Sequence, residues 1–385
     1  MNSDNRTANK GARLKKPLFI KKGSIDLTFL ITVLVILGVG LLMLFSASYS
    51  YADTNFGNSY KFIFQQSIYA IAGVAGMLFF SKVDYHRYMK LSWIVYGATI
   101  VMLILVYFMP AMEGVHRWIV IGSFSFQPSE IAKFAIVLLF SHLISINYNN
   151  MQTFSFSIGF LGFLLMIICA LVVFETHLSA TVLIFAIGGL LIFFGGAKLK
   201  YLFGVAGVGV AAAAVAIFSG VIGYGSDRLT YWLDPWADAT GKGYQTIQSL
   251  MAIGSGGLMG RGIGNSMQKH LWVPEPHNDF IFSIVCEEIG LIGAMLIIGL
   301  FCFLVYRGAI IAKGASDKFG SLLAIGLVFQ VGLQALLNIM VVTNTIPNTG
   351  ISLPFFSYGG TSLIILLCEM GIVLSVSRYS SVTKQ

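Results

Sequence analysis

The chain has 385 residues, of which 57% are hydrophobic and 10% are charged, and its formal net charge is +8. Soluble globular chains are about 45–50% apolar and about 25% charged, so this composition excludes an ordinary soluble domain. Uncharged runs of about 20 residues recur along the chain, which is the length that a helix needs to cross a bilayer. Because these runs are continuous rather than alternating, they exclude a membrane β-barrel and predict an all-α polytopic membrane protein.

Residues 1–24 form a basic, polar segment that we expect to be a disordered cytoplasmic tail. Its lysine and arginine residues precede the first apolar run directly. Basic residues beside a membrane helix favour the cytoplasmic side. No folded basic domain accompanies them, so the sequence gives no indication of nucleic-acid binding.

We predict ten transmembrane spans in one membrane domain, residues 25–379, followed by a cytoplasmic tail at 380–385. Most of the lysine and arginine residues fall on the side of the N-terminal tail, so the positive-inside rule places both termini in the cytoplasm. The predicted spans lie near residues 26–47, 61–80, 91–109, 129–146, 154–174, 178–195, 200–219, 280–306, 320–342 and 361–378.

The connection between spans 7 and 8, at about 220–279, is a large extracellular loop of roughly 60 residues. A loop of that length inside a compact domain is usually functional or disordered. Three of the five tryptophans lie in this loop, at Trp232, Trp236 and Trp272, which argues against disorder. We therefore expect the loop to carry the functional surface.

Asp279 ends this loop, directly before the apolar run of span 8. Its carboxylate is either the N-cap of that helix or a general base that accepts a proton from a hydroxyl group. The two roles are compatible, because a helix N-terminus stabilises an ionised carboxylate. One straight helix from Asp279 to Tyr306 would be about 42 Å long and would lift Asp279 into the outer headgroup layer. Glu287 and Glu288 would then lie at the outer edge of the hydrocarbon core, where carboxylates are paired or functional.

Two other charged groups lie near outer helix ends. Glu130 and Lys133 are spaced i, i+3 at the start of span 4, which predicts an ion pair that could also orient a pyrophosphate. Arg117, next to an aromatic residue in an outer loop, is either a headgroup anchor or a phosphate clamp. The sequence leaves these alternatives open.

A glycine-rich run at 254–264 superficially resembles a phosphate loop, but no Lys-Ser/Thr follows in register and no strand precedes it. It predicts a tight re-entrant turn that only glycine tolerates. Such a turn would still let Arg261 and Lys269 approach an anionic ligand. A second break at 346–361 must be lined by protein or by a water-filled cavity, and it contains Ser357, Gly359 and Gly360.

The histidines of the outer side, including His277, lack HExxH or similar spacing, so a zinc site is not indicated. No cofactor is certain. A hydrated divalent cation, magnesium or manganese, held by a carboxylate and substrate phosphates would leave little trace in the sequence and stays an open alternative.

At this point the motifs resemble those of the SEDS family (shape, elongation, division and sporulation), which includes FtsW, RodA and SpoVE. The resemblance runs from Asp26 to Arg378, and the segment Gly264–Lys269 is more similar to the FtsW/SpoVE branch than to RodA. Asn278 and Cys286 depart from the usual family residues without removing a charge. The matching stretches are His116-Arg-Trp-Ile119, Phe126-Gln-Pro-Ser-Glu-Ile-Ala-Lys133, Gly243-Tyr-Gln-Thr-Ile-Gln-Ser249, Ala252-Ile-Gly-Ser-Gly-Gly257, Pro274-Glu-Pro-His-Asn-Asp-Phe-Ile-Phe282, Glu287-Glu-Ile-Gly290 and Leu353-Pro-Phe-Phe-Ser-Tyr-Gly-Gly360.

This resemblance implies a ten-span peptidoglycan glycosyltransferase that polymerises lipid II on the outer face of the bacterial cytoplasmic membrane and releases undecaprenyl pyrophosphate. It implies a class B penicillin-binding protein and other divisome membrane proteins as partners, a septal location, and Asp279 as the catalytic carboxylate. The residues expected at the substrate are Arg117, Glu130, Lys133, Arg261, Lys269, Glu275, His277, Ser357, Gly359 and Gly360.

Two alternatives belong to other functional classes. Ten spans with buried charges and broken helices also suit a lipid II flippase or transporter. A division scaffold without chemistry of its own is the third interpretation. A transporter keeps its key charges near mid-membrane, whereas Asp279 and most loop charges are expected at the outer face, which favours an enzyme.

Overall fold

The computed structural model describes residues 23–110, 116–121, 124–175, 177–201, 203, 204, 207, 230–270 and 272–380. Its helices form a bundle around one continuous apolar core. In chain order they are α1 (Leu27–Phe56), α2 (Lys61–Lys82), α3 (His86–Leu105), α4 (Pro128–Ile146), α5 (Leu161–Phe174), α6 (Leu178–Phe194), α7 (Tyr244–Gly256), α8 (Ile281–Lys313), α9 (Lys318–Val342) and α10 (Gly360–Ser377).

Eight helical segments within the described ranges are long and apolar enough to cross a membrane, and the shorter apolar helix α6 lies among them. They match the predicted spans 1–6 and 8–10, so the protein is a polytopic helical membrane protein. A 3-10 turn (Val106–Phe108) extends α3, and a π-helical turn (Ser155–Phe160) precedes α5. The predicted span at 200–219, almost all of the basic tail and residues 381–385 lie outside the described residues.

Helix α1 shows how local sequence sets the ends of these helices. The side chain of Asp26 accepts a hydrogen bond from the Phe29 amide at 2.9 Å and caps the N-terminus. The helix ends at Gly57, whose φ of 64° is the left-handed conformation that glycine adopts without strain. Residues 48–56 are more polar than the core of the span. The span predicted from hydropathy therefore ended near residue 47, about two turns before the end of the helix.

Helix α8 is not the straight helix that its length suggested. Gly290, with φ 66° and ψ −171°, breaks it into an outer part and a membrane-spanning part. The glycine-rich turn docks into this break through backbone hydrogen bonds: the Leu291 amide donates to the Gly257 carbonyl at 2.9 Å, and the Gly262 amide donates to the Glu288 carbonyl at 2.9 Å. The tight turn that the glycine spacing predicted is therefore present.

A short β-hairpin modifies the all-α prediction. Strands β1 (Ile119–Ile121) and β2 (Phe124–Phe126) pair antiparallel between α3 and α4. Each strand has only three residues, which is too short for an alternating pattern to stand out. The hydroxyl of Thr361, at the start of α10, donates to the Ser125 carbonyl at 3.1 Å and holds the hairpin against the bundle.

The backbone contact at the α8 break generates a stability prediction. Replacing Gly260 by alanine should destabilise the fold by about 1–3 kcal/mol through overpacking and backbone strain. A Cβ atom there would lie 2.2 Å from the Glu288 carbonyl oxygen, and φ is +79°. The measurement is the thermal unfolding temperature of the purified protein in detergent.

Two matched variants separate the causes. Gly264→Ala introduces backbone strain without overpacking, because φ is +86° and no atom would lie within 4 Å of the added Cβ. Gly254→Ala introduces neither backbone strain nor overpacking and should leave the unfolding temperature unchanged or raise it. If all three variants unfold at the same temperature, the close approach of the two backbones does not contribute to stability.

Candidate functional site

A cavity of about 450 Å³ opens at the end of the bundle opposite to the N-terminal end of α1. The hairpin, the N-terminal ends of α4 and α10, the outer part of α9 and the loop before α8 surround it. Among its lining residues are seven of the predicted site residues: Arg117, Glu130, Lys133, Glu275, Asp279, Gly359 and Gly360. These residues are distant in sequence and adjacent in space.

Asp279 borders this cavity, and the N-cap interpretation of it is wrong. Helix α8 begins at Ile281, its N-cap is Phe280, and no side chain caps it. The backbone of Asp279 is fixed instead by Asn338 of α9, whose amide group donates to the Asp279 carbonyl at 2.7 Å. Gly350 lines the other side, because a Cβ there would lie 3.2 Å from Asp279 Oδ2. The carboxylate therefore faces the cavity while its backbone is held.

The surroundings of Asp279 raise the pKa of its carboxyl group to about 6. Burial is the largest cause, since it disfavours the charged form. The nearby Glu275 carboxylate raises the pKa further, and the Arg117 guanidinium partly opposes both effects. A carboxyl group with a pKa near 6 is ionised at neutral pH and basic enough to take a proton from a hydroxyl group as it reacts.

The loop that carries Asp279 is held by the second chain break. The Ser357 hydroxyl donates to the Asn278 carbonyl at 2.8 Å and accepts from the Leu353 amide at 2.8 Å. The Tyr358 amide donates to the His277 carbonyl at 2.8 Å. Ser357 thus positions the loop and is not part of the lining of the large cavity.

Glu275 and His277, which lie in the same loop as Asp279, differ in exposure. Glu275 adopts φ 44°, an uncommon conformation for a residue with a side chain, and its carboxylate accepts from the Asn278 amide group at 2.8 Å. His277 is buried against the rings of Phe62 and Tyr51, with the Phe62 ring centroid 4.3 Å away. Burial lowers the pKa of His277 to about 4, so its ring is neutral and serves packing, away from the cavity lining.

Two cationic side chains face the cavity. Lys133 is only 3% exposed, and its ammonium group lies 2.9 Å from Glu130 and 2.8 Å from the Gln334 side-chain oxygen. The predicted i, i+3 pair is therefore present, and it sits in the cavity wall. Arg117 donates to the Glu175 carbonyl at 3.4 Å, which holds its guanidinium group at the same opening.

The glycines at the start of α10 give the cavity its shape on the α2 side. A Cβ atom at Gly360 would lie 2.5 Å from the Tyr69 ring, so α2 and α10 approach closely only because glycine is there. The Gly359 amide donates to the Gln66 side-chain oxygen at 3.3 Å. Both residues thus contribute backbone to the wall.

Lys269 and Arg261, which were expected near an anionic ligand, lie outside the lining of this cavity. Lys269 is 3% exposed, and its ammonium group lies 3.0 Å from the Glu288 carboxylate, which also accepts from the Ser46 hydroxyl at 2.6 Å. Glu287 accepts from the Met267 amide at 3.0 Å and has Arg261 at 3.7 Å. These two lysine and arginine residues neutralise buried glutamates, which is a structural role.

Several polar residues of the cavity were not singled out from the sequence: Tyr69, Gln127, His177, Gln245, Gln334 and Tyr358. Neutral side chains give little signal in one sequence, but one pattern was available. Gln330, Gln334 and Asn338 recur every four residues in the apolar run of α9, so they share one helix face. A stripe of amides in a membrane helix indicates buried polar partners.

Within the described ranges, no three histidine, cysteine, aspartate or glutamate side chains gather into a group that could hold a metal ion. On the cavity wall the carboxylates are those of Glu130, Glu275 and Asp279, and Glu130 is engaged by Lys133. A divalent cation at this site would therefore depend on oxygens from the bound ligand.

Comparisons with known proteins agree on one family. A family model described as "Cell cycle protein" (FtsW/RodA/SpoVE) matches residues 27–382. The chain is 39% identical over 366 residues to stage V sporulation protein E of Bacillus subtilis, covering 94% of this chain and 99% of that protein. It is 36% identical over 358 residues to a probable peptidoglycan glycosyltransferase FtsW of a Geobacter species, covering 91% and 96% of the two chains.

Solved structures show the same fold. A chain from the work "Structural coordination of polymerization and crosslinking by a peptidoglycan synthase complex" matches with a TM-score of 0.77 and 25% identity, covering 92% of this chain and 98% of that one. The crystal structure of the rod shape determining protein RodA of Thermus thermophilus matches with a TM-score of 0.69 and 24% identity, covering 93% and 98%.

The buried ion pair predicts a contrast between two cationic residues. Lys269→Ala should destabilise the protein by about 3–5 kcal/mol, because it leaves Glu288 buried without its counter-charge. Arg261→Ala should cost about 1 kcal/mol or less, because its partner is at 3.7 Å and Arg261 is 37% exposed. Thermal unfolding in detergent measures both, and combining Lys269→Met with Glu288→Gln should restore much of the loss. A wild-type unfolding temperature for Lys269→Ala would show that the pair is not structural.

Proposed function

Because the chain belongs to the cell cycle protein family of FtsW, RodA and SpoVE, we propose that it is a peptidoglycan glycosyltransferase. Its substrate is lipid II, which it polymerises into glycan strands on the outer face of the cytoplasmic membrane. The observation that carries this proposal is the ionisable Asp279 carboxylate in an outer cavity that also contains two cations, Arg117 and Lys133.

The reaction joins two lipid-linked sugars. The 4-hydroxyl of the acceptor sugar attacks the anomeric carbon of the donor, the bond from that carbon to the pyrophosphate oxygen breaks, and the hydroxyl proton passes to a base. Asp279 is that base. Undecaprenyl pyrophosphate leaves as an anion, so cations that stabilise its charge can replace a general acid.

The geometry of α9 supports this assignment. Asn338 holds the Asp279 backbone and Gln334 holds the Lys133 ammonium group, four residues nearer the cytoplasmic end of the same helix. Four residues of helix correspond to about 6 Å, so the cation lies deeper than the carboxylate. A lipid-linked pyrophosphate is likewise deeper than the sugar attached to it, because the lipid tail must stay in the membrane.

The remaining predicted residues take supporting roles. Glu130 orients Lys133, and Glu275 raises the basicity of Asp279. Ser357 fixes the loop that connects Glu275 and Asp279. Arg117 is the second cation for the pyrophosphate. Arg261 and Lys269 are left out of this set, because they neutralise Glu287 and Glu288.

The proposed partner is a class B penicillin-binding protein that crosslinks the strands. Support comes from the structural neighbour at 25% identity, which belongs to a peptidoglycan synthase complex that coordinates polymerisation and crosslinking. The FtsW and SpoVE names of the relatives support a septal role, together with other divisome membrane proteins. Both termini are proposed to lie in the cytoplasm, with residues 25–379 as one membrane domain.

Removing the base should abolish polymerisation. We expect Asp279→Asn to lower the rate of lipid II polymerisation by about 10²- to 10⁴-fold, because the amide cannot accept the hydroxyl proton. The purified chain with its cognate penicillin-binding protein is assayed for glycan ladders on a gel. Asp53→Asn, an exposed carboxylate on the same side and outside the cavity, is the matched control and should remain active.

The same assay separates the alternatives. Glycan ladders from Asp279→Asn at the wild-type rate would mean that the base lies elsewhere. If neither wild type nor variant makes ladders while labelled lipid II crosses a vesicle membrane, the protein is a flippase. If neither activity is found with the partner present, the scaffold interpretation holds.

The raised pKa of Asp279 gives a pH prediction with a defined sign. The base must be ionised, so the rate should be constant above about pH 7 and fall about tenfold per unit below pH 6. Glu275→Gln removes a negative neighbour, lowers the pKa of Asp279 and should move the acidic limb to lower pH. An acidic limb that stays in place in Glu275→Gln would contradict this electrostatic coupling, and complete loss of activity would make Glu275 the base.

A further inference from the structure

The apolar side chains of the glycine-rich turn form an exposed surface on the outer segment. Met259 and Leu258 are 78% and 65% exposed, and Ile263 and Met267 are exposed as well. Polar residues normally occupy a water-facing turn of this kind. A patch of four large apolar side chains on a turn therefore needs an apolar partner.

The depth of this turn in the membrane follows from two polar contacts between α1 and α8. At the cytoplasmic end, Asp26 pairs with Arg307 at 2.8 Å. At the other end, the Ser46 hydroxyl donates to Glu288 at 2.6 Å. Asp26 and Ser46 are separated by 20 residues along α1, or about 30 Å of helix, which equals the thickness of the hydrocarbon core. The two contacts thus mark its inner and outer boundaries.

The start of the turn, at Leu258, lies inside the outer boundary. The Ile292 amide donates to the Leu258 carbonyl at 3.2 Å, so Leu258 is level with Ile292. Ile292 is 15 residues from Arg307 along α8, or about 23 Å above the inner boundary. The Leu258 end of the turn is therefore several ångströms within the outer leaflet, beside the exposed side chains of Leu291, Ile292, Met295 and Leu296. Arg261 and Gly262, which bond to the Glu287 and Glu288 carbonyls, lie at the outer boundary itself.

The one charged residue of the turn points back toward the protein. Arg261 donates to the Ser255 carbonyl at 3.3 Å and has the Glu287 carboxylate at 3.7 Å. The backbone amides of Arg261 and Gly262 donate to the Glu287 and Glu288 carbonyls. The Arg261 side chain and the Arg261 and Gly262 amides thus have partners on the protein side, which lowers the cost of placing this part of the turn at the edge of the hydrocarbon core.

We propose that the turn Leu258–Met267 is inserted into the outer leaflet and binds the acyl chains of membrane lipids. Its apolar surface adjoins the exposed apolar surface of α8 at Leu291 and Ile292, and lipid is the occupant that covers that helix. The insertion anchors the segment that leads to Asp279 at a fixed height above the membrane. This proposal does not depend on the proposed enzymatic activity.

Spin labelling of the full chain in lipid nanodiscs tests the insertion. A nitroxide on Met259→Cys or Ile263→Cys should collide more with oxygen, which partitions into lipid, than with a water-soluble nickel chelate. Met295→Cys on α8 is the lipid-facing control. Asn58→Cys, beyond the outer end of α1, is the water-facing control. The single cysteines are introduced into a chain whose four native cysteines are replaced by alanine: Cys169, Cys286, Cys302 and Cys368.

Each outcome decides the proposal. Oxygen accessibility matching that of Met295 supports insertion. Nickel accessibility matching that of Asn58 would show a turn in water and overturn it. Low accessibility to both reagents would show that protein, a second copy or a partner, covers the turn, and would also overturn it. Should the cysteine-free chain not fold, Met259→Trp in the native chain offers a second readout, taken as the difference from the wild-type signal of the five native tryptophans. Lipids brominated on their acyl chains should quench the added fluorescence, and absence of that additional quenching would reject insertion.

Discussion

Two adjacent buried glutamates at the α8 break are the constraint on which the outer half of the molecule depends. Unpaired carboxylates at the edge of the hydrocarbon core would be costly, and here every oxygen of Glu287 and Glu288 faces a donor or a cation. The donors come from α1 and from the turn between α7 and α8, so neutralising the charges also folds the turn against the helix. Without Gly290 and Gly260, the backbones could not approach closely enough for this.

The same constraint separates two kinds of acidic residue that lie only nine positions apart. Glu288 has Lys269 and Ser46 as partners and is closed off from the cavity. Asp279 has its backbone held by Asn338, while its side chain accepts no hydrogen bond from the part of the chain that the structure describes. A saturated carboxylate contributes stability, whereas a buried carboxylate with free lone pairs retains the basicity that proton transfer needs. The fold thus gives Glu288 a structural role and leaves the Asp279 carboxylate available for the proposed proton transfer.

Sequence reasoning could find the nine spans that lie within the described residues and the position of Asp279 at the cavity, because apolar run length and a carboxylate at a span end are local signals. It could not separate the environments of the cations. The i, i+3 spacing predicted the pair of Lys133 with Glu130, but only the tertiary fold pairs Lys269 with Glu288 and places it outside the cavity lining. The break at Gly290 was equally invisible, since glycine is common in membrane helices and its role depends on the turn that docks there.

Helix α9 connects these elements and bears on the choice between enzyme and transporter. Its amides, four residues apart, hold three groups in succession: Asn338 holds Asp279, Gln334 holds Lys133, and Gln330 donates to Glu369 at 2.9 Å. Toward the N-terminal end of α9 the same face continues with Gly326, packed against Val137 and Leu191, and with buried leucines. Since Gln330 is near the middle of α9, the polar stripe reaches about half the membrane depth and ends there. A substrate path would need polar contacts on both sides of that point, whereas a site that binds a headgroup from outside needs only the outer half.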